Sequence, residues 1–299
     1  MGAQHGRDRC RAAGCGALTR VVAVVLNWCN EPDTVACVES LLRQDEGPVD
    51  VLLVDNRSPD GSGARLSQRF PQLPFIQTGA NLGYAGGNNA GIRWALEHGA
   101  DWVLVLNNDT MCERSMVCQL LAASTRHPRA GALSPYIGLG DDPATPWFAG
   151  GRLDYLRGLG VHEAFESERS CTFLSGCCLM LRRQALEEVG VFDAAYWCYV
   201  EDADLGIRLM RAGYDLWYVP SARMMHRAPP VTAPPTAMQI EWRDRNRRRL
   251  ARLHFSPMQR LLFSLWFYTT RMALLARYAL AGDVARARGY TTLDLDVRS

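Results

Sequence analysis

Four short apolar runs mark the first third of the chain: Val21–Leu26 (VVAVVL), Val49–Asp55 (VDVLLVD), Pro74–Gln77 (PFIQ) and Trp102–Leu106 (WVLVL). The longer ones are continuous rather than alternating, which is the pattern of strands buried on both faces. Between them the spacing turns helical. Asn30, Glu31 and Pro32 give start signals for a helix with Val35, Val38, Leu41 and Leu42 on one face. A short helix reaches Phe70, and another runs through Ile92, Ala95 and Leu96 to a C-terminal glycine, Gly99. Strand and helix alternating at short intervals predict an α/β fold with a mostly parallel sheet flanked by helices.

Beyond a helix over Ser115–Arg126 the alternation weakens. Residues 131–170 are rich in glycine, proline and polar side chains and read as strands and loops over the sheet. Cys171–Arg183 reads as a strand pair broken at Ser175-Gly176. A helix follows with Leu205, Leu209 and Met210 inward and Gly213 at its end, and then a strand through Leu216–Val219. Ala228–Pro235 (APPVTAPP) is a semi-rigid linker pattern, and the tail beyond it is helical. The expected division is a disordered segment at 1–19, a domain at 20–227, a linker at 228–236 and a helical tail at 237–299.

Composition narrows the chemistry. A formal net charge of +2 gives no general case for a nucleic-acid partner. All 33 basic residues are arginine, which excludes mechanisms that need a lysine, such as a P-loop or a Schiff base. The ten cysteines form no C-x-x-C pair, so a zinc ribbon is not expected. Several lie in apolar runs and read as small hydrophobes. The first twenty residues hold no apolar core segment, so no signal peptide is expected, and reduced thiols in the cytoplasm are.

Three of the four strands end in polar side chains: Asn27, then Asp55-Asn56, then Asn107-Asn108-Asp109. Asn and Asp suit turns, but in an open α/β sheet ligands bind beyond the carboxyl ends of strands. A second acidic cluster, Glu201-Asp202-x-Asp204, stands where a loop enters a helix, behind Phe192, Tyr196, Trp197 and Tyr199. Helix capping accounts for any one of these acids. An aromatic-walled carboxylate is also a place where a pKa rises towards that of a working general base.

These stretches taken in order resemble glycosyltransferase family 2, the inverting group of GT-A fold, and its rhamnosyltransferase-like branch above all. The matching segments are VVLNWCN, LLVDNRSPDGS, NLGYAGGNNAGI, VLVLNNDT, FLSGCCLMLRR, YVEDADLGIRLMRAGY and PSARMMH, spread over Val21 to His226. The resemblance implies a Rossmann-like nucleotide-binding half joined to an acceptor half. It implies a nucleotide-diphosphate sugar bound across the strand ends and a divalent cation, Mg2+ or Mn2+, on its diphosphate. Asp109 and His226 would hold the cation, although Asn107 stands where the family carries the first acid of D-x-D. Asp202 would be the general base, Glu201 would steer the acceptor or hold Asp202, and Asp204 would cap the helix. Asp55 would hydrogen-bond the nucleobase beside Asn27 and Asn56. Asn81, Gly83, Gly86 and Asn88 would let backbone approach the nucleotide at a helix N-terminus, with Asn107 and Asn108 nearby. Ser175, Gly176, Trp197 and Tyr199 would line the sugar and acceptor pocket.

The donor tilts to dTDP-rhamnose, with UDP- and GDP-sugars open, and the acceptor to a glycan or lipid-linked sugar in cell-surface polysaccharide assembly. In the tail, Glu241–Phe255 carries six arginines against two acids and is followed by an apolar, aromatic stretch. The uncharged run Leu261–Thr270 is too short to span a bilayer. A basic segment beside an apolar helix suits the membrane surface, so peripheral contact at the inner face of the cell membrane is expected. Two rivals remain: a sugar nucleotidyltransferase, whose lysine-bearing loop is missing here, and a non-catalytic nucleotide-sugar binder.

Overall fold

The computed structural model describes residues 19–44, 49–140, 142–227 and 235–291. The expected disordered segment and the proline-rich linker therefore fall almost wholly outside the described residues. The first half of the sheet domain is built from β1 (Val21–Asn27), α1 (Glu31–Leu42), β2 (Val49–Asp55), α2 (Ser62–Arg69), β3 (Phe75–Gln77), α3 (Gly83–Glu97) and β4 (Trp102–Asn107). It continues through β5 (Thr110–Cys112) and α4 (Met116–Arg126). β6 (Ala130–Leu139), β7 (Asp142–Phe148), β8 (Gly151–Asp154) and β9 (Leu159–His162) form the excursion that follows. β10 (Arg169–Cys171), β11 (Cys178–Arg182), α5 (Arg183–Val189), α6 (Glu201–Arg211) and β12 (Asp215–His226) complete the sheet domain. The tail is α7 (Ala237–His254), α8 (Pro257–Leu280) and α9 (Val284–Thr291).

One ten-stranded sheet runs β10-β12-β6-β11-β4-β1-β2-β3, with β5 added on β12 and β7 on β6. Its longest pairings, β1 with β2 and with β4 and β6 with β12, are parallel; β11 joins the halves antiparallel to both β4 and β6. The predicted strand pair 171–183 is thus two strands that never touch: β10 sits on the sheet edge and β11 at its centre. Val21–Val25 of β1 and Val103–Leu106 of β4 are fully buried, as continuous apolar runs require.

Helix α1 departs from its predicted face. Thr34, Cys37, Val38 and Leu41 are buried, while Leu42 is 46% exposed. The helix is rotated because Thr34 and Cys37 engage the strand ends: Thr34 Oγ1 donates to Asn27 Oδ1 at 3.0 Å, and Cys37 Sγ lies 3.7 Å from Thr110 Oγ1. In α6, Met210 is only half-buried while Leu205 and Leu209 are in the core.

The tail is built into the domain rather than hung from it. Leu250, Ala251, Phe255, Phe263 and Phe267 belong to the same hydrophobic core as the sheet. Helix α7 starts with a capping box on Thr236 and Gln239. Asn246, fully buried, donates through Nδ2 to the carbonyls of Tyr196, Cys198 and Tyr199 at 2.7, 2.8 and 2.8 Å. Arg247 and Arg249 turn inward too, while Arg243, Arg245 and Arg252 stay exposed. Arg249 pairs with Asp193, and Arg247 and Arg271 share the buried Asp244. Burial, and then the neighbouring Arg271 charge, pull the Arg247 guanidinium down to about 10. Replacing Asn246 leaves three carbonyls without this donor. Asn246→Ala is therefore expected to lower the unfolding free energy by about 1–3 kcal/mol, read by denaturant titration. Wild-type stability in that variant would contradict the clamp.

Candidate active site

Strand β1 lies between β2 and β4, so chain order reverses there and the carboxyl ends of β1 and β4 open a crevice. Register sets Asn27 opposite Asp55 and Leu26 opposite Asn107. The three polar strand ends predicted from sequence are neighbours on one rim.

Most of them are committed to one another. Asn27 Nδ2 lies within bonding distance of Asp55 Oδ1, Ser58 Oγ and Ser62 Oγ. Asp55 accepts from Asn27 and Ser58 Oγ on Oδ1, and from the Ser58 amide and Gln77 on Oδ2. Its side chain is buried with both oxygens engaged by this chain's own groups, so that Asp55 ties β1, β2 and β3 together beneath the rim. Asn56 is equally full, bonding Asn81, the Gly83 carbonyl, the Leu82 amide and Thr78. Asn108 donates to Thr34 Oγ1 at 2.7 Å and so fastens β4 to α1. The Asn107 carboxamide has no partner among the described residues and is half-exposed.

The glycine-rich turn is not the open anion cradle expected of it. The amides of Leu82, Gly83 and Ala85 donate to Asn56, Asn81 and the Trp197 carbonyl. Gly83 has φ +70, and a Cβ there would lie 2.4 Å from the Trp197 carbonyl oxygen, so glycine is required by this chain's own backbone. A Cβ on Gly86 would meet the Leu82 side chain at 2.7 Å. Asn88 is buried with Nδ2 on the Tyr84 carbonyl and Oδ1 unpaired.

Asp109 and His226, 117 residues apart, meet at 3.0 Å between Oδ1 and Nε2. Backbone pairing enforces this: His226 stands opposite Thr110 in the β12–β5 register, and the Arg227 amide donates to the Asp109 carbonyl at 2.8 Å. His226 is buried, not the surface residue a linker edge would give, and its Nδ1 has no partner. Among the described residues no group of three or more His, Cys, Asp or Glu side chains is arranged to hold a metal ion by itself. A carboxylate facing an imidazole, beside an unpaired carboxamide, fits a hard divalent cation that takes its remaining ligands from phosphate and water.

The second acidic cluster opens α6 after a strained approach. Trp197, Tyr199 and Val200 have φ of 60, 71 and 74°, conformations that cost about 1–3 kcal/mol each outside glycine. Asn246 holds the carbonyls of Tyr196, Cys198 and Tyr199 in this loop, Trp242 packs on Trp197 at 4.3 Å, and Gln239 donates to the Tyr199 hydroxyl at 3.1 Å. Asp202 accepts from the Gly176 amide at 2.9 Å and from the Ala203 amide at 2.8 Å. The Tyr84 hydroxyl in turn donates to the Gly176 carbonyl at 2.6 Å. Ser175 is buried beneath this turn, its Oγ accepting from the Cys177 amide.

Burial, reinforced by the Asp202 charge, raises the Glu201 carboxyl well above its usual range, and its Oε2 is buried without a partner. Burial raises Asp202 as well, but the two amides on its oxygens hold that rise back. Both carboxyls are thus raised by burial, and the Gly176 and Ala203 amides favour the ionised form of Asp202. Asp204 does not cap the helix. It is buried, bonded to His254, Arg208 and Tyr196. Burial pushes its carboxyl up, but His254 and Arg208 outweigh this and hold it below the usual range. Of the four aromatics before the cluster, Phe192 and Tyr196 are core, and Trp197 and Tyr199 are half-buried at the rim.

The two acidic clusters are tied to one stretch of backbone. The Asn107 amide donates to the Cys177 carbonyl at 2.9 Å, and Cys177 adjoins Gly176, which holds Asp202. Two residues that sequence reasoning missed stand beside His226: Trp147 is edge-on to it at 4.5 Å, and His162 binds the Trp147 carbonyl. Both lie in the irregular stretch 131–170, where no periodicity or motif marks them. Asn89 and Asn246 were missed as well; Asn89 exchanges two hydrogen bonds with the Phe192 backbone.

Residues 21–190 match the family model described as Glycosyl transferase family 2. The chain is 36% identical over 243 residues to an N-acetylglucosaminyl-diphospho-decaprenol L-rhamnosyltransferase of Mycobacterium tuberculosis, an alignment covering 70% of this chain and 76% of the relative. To the galactofuranosyltransferase GlfT1 of Mycolicibacterium smegmatis it is 26% identical over 214 residues, 69% of this chain and 70% of that one. Among solved structures it is similar to a Pyrobaculum calidifontis mannosyltransferase in complex with GDP-Man and Mn2+, with TM-score 0.56, 17% identity, and 92% and 81% of the two chains covered. It is also similar to GalNAc-T7 with UDP, GalNAc and Mn2+, with TM-score 0.64 and 14% identity; the match covers 79% of this chain but spans only 48% of that one. With the family match over more than half its length and this fold, the chain belongs to glycosyltransferase family 2 and is a glycosyltransferase of GT-A type.

Proposed function

We propose that the protein is an inverting, cation-assisted glycosyltransferase that moves a sugar, rhamnose in first place, from a nucleotide-diphosphate donor to a lipid-linked or glycan acceptor. The observation that supports this reading is the backbone link between the clusters: Asp109, paired with His226, follows the strand whose last amide binds Cys177, and Asp202 binds the neighbouring Gly176. The M. tuberculosis relative named for rhamnosyl transfer to a diphospho-decaprenol sugar supports the donor and the acceptor class. dTDP-rhamnose is the favoured donor, ahead of UDP- and GDP-sugars.

Asp109 and His226, with Asn107 beside them, would hold Mg2+ or Mn2+ on the diphosphate, where the cation supplies Lewis-acid neutralisation of the leaving group's charge. Asp202, ionised and aimed by the Gly176 and Ala203 amides, takes the proton from the acceptor hydroxyl. That oxygen bonds the anomeric carbon as the carbon–phosphate-oxygen bond breaks, and the nucleoside diphosphate leaves with the electron pair. Glu201 keeps its proton and spares the cleft a second negative charge beside the base. Ser175, Gly176, Trp197 and Tyr199 shape the acceptor side, and the turn from Asn81 through Gly83 and Gly86 to Asn88 positions Trp197.

We also place the protein on the cytoplasmic face of a membrane, through α8 rather than the arginines of α7. Met258, Leu261, Leu262, Leu265, Tyr268 and Met272 recur at helical spacing and are 45–63% exposed. Helix α8 contains no acidic residue, and the exposed Arg260 and Arg277 stand towards its two ends. An apolar face with cations and no acids suits an anionic lipid surface. No helix among the described residues is long and apolar enough to cross a membrane.

Three outcomes test this reading. The protein with Mn2+ or Mg2+ hydrolyses or transfers from a nucleotide sugar, EDTA abolishes it, and Asp202→Asn lowers kcat by about a hundredfold or more while donor binding stays intact; parental turnover in that variant makes Asp202 structural only. Because the base must be ionised and burial raises its pKa, the acid limb of kcat lies above the ordinary carboxylate value of about 3.9; a limb at or below that value contradicts the assignment. Full-length protein floats with anionic liposomes and a Leu261→Glu, Leu265→Glu variant does not, with nucleotide binding retained. Flotation of both, or of neither, ends the membrane proposal.

A further inference from the structure

His162 closes strand β9. Its Nδ1 lies 2.8 Å from the Trp147 carbonyl oxygen. A carbonyl only accepts, so Nδ1 carries the hydrogen and, in the neutral ring, Nε2 presents a lone pair on the opposite side. The ring stands edge-on to Trp147 and Phe148 at 5.0 and 5.1 Å and nearly parallel to Phe173 at 6.2 Å. These contacts fix one orientation for a residue that is exposed overall. Neither its packing nor its one hydrogen bond uses Nε2.

Its position gives that atom a task. On one flank the ring lies nearly parallel to Phe173, three residues before Gly176, whose amide donates to Asp202. On the other, Trp147 links it to His226, which bonds Asp109. His162 therefore lies between the group that would hold the diphosphate and the group that would take the acceptor's proton. In a donor bound across these groups, the part between diphosphate and acceptor is the transferred sugar. We propose that His162 is a sugar-binding residue whose Nε2 accepts a hydrogen bond from a hydroxyl of the transferred sugar, so that the excursion β7–β9 supplies the wall that distinguishes the sugar from its nucleotide. This rests on the glycosyltransferase reading.

Calorimetry separates the two. The probe is whichever dTDP-, UDP- or GDP-sugar the wild-type protein turns over, with the corresponding free nucleoside diphosphate, both in Mn2+. His162→Phe keeps the aromatic packing and removes the acceptor; His162→Gln places an amide oxygen near the position of Nε2. The Phe variant is expected to bind the nucleotide sugar about three- to tenfold more weakly, the worth of one hydrogen bond, with nucleoside diphosphate affinity unchanged. The Gln variant recovers part of that loss. A Phe variant that keeps the wild-type ratio of the two affinities overturns the proposal. So does an equal loss for both ligands, or a Gln variant no better than Phe. Wild-type protein that turns over none of these sugars contradicts the enzyme reading itself, and this role falls with it.

Discussion

Where β11 runs antiparallel to β4, the Asn107 amide bonds the Cys177 carbonyl, and two acidic clusters nearly a hundred residues apart are fastened to either side of that bond. Asp109 follows directly from the end of β4. Asp202 hangs on the amide of Gly176, one residue before Cys177. This contact is a product of sheet topology: a single antiparallel strand, β11, joins the parallel β1–β4 part of the sheet to β6 and β12. The His226 contact has the same origin, since β5 pairs with the end of β12 and carries Asp109 to it.

The strained loop before α6 is held in place by the tail. Three residues before α6 adopt left-handed conformations, and the unfavourable backbone persists because α7 over-determines it. Asn246 binds three carbonyls of that loop, and Trp242 and Gln239 hold its side chains. The buried pair His254–Asp204 then pins the end of α7 to the first turn of α6. The tail thus does two jobs with opposite faces: its inner surface sets the acceptor loop, while the outer face of α8 remains apolar and acid-free.

Much of this was legible in the sequence, and the gaps have physical causes. The buried strands β1 and β4 could be read because a strand covered on both faces must be apolar throughout. Their polar ends could be read because nothing in a core tolerates Asn27 or Asp109 without partners. Which partners they take could not. Asp55 is saturated by Ser58 and Gln77, residues of a turn and an edge strand that carry no periodic signal. The glycines of the α3 turn looked like a phosphate cradle because composition does not say what approaches them; here it is Trp197. Arg247 and Arg249 of α7 looked like lipid-facing charge because Asp193 and Asp244, their partners, are distant in sequence or outnumbered locally. His162 and Trp147 were invisible, lying in a stretch whose structure is set only by its contacts.

The most direct measurement is a crystal structure of the protein with Mn2+ and a nucleoside diphosphate. The account places the cation on Asp109 and His226, with the outermost phosphate directed into the space bounded by Gly176, His162 and Asp202. Nucleotide bound elsewhere on the sheet, or a cation site that leaves Asp202 on a separate surface, would contradict it.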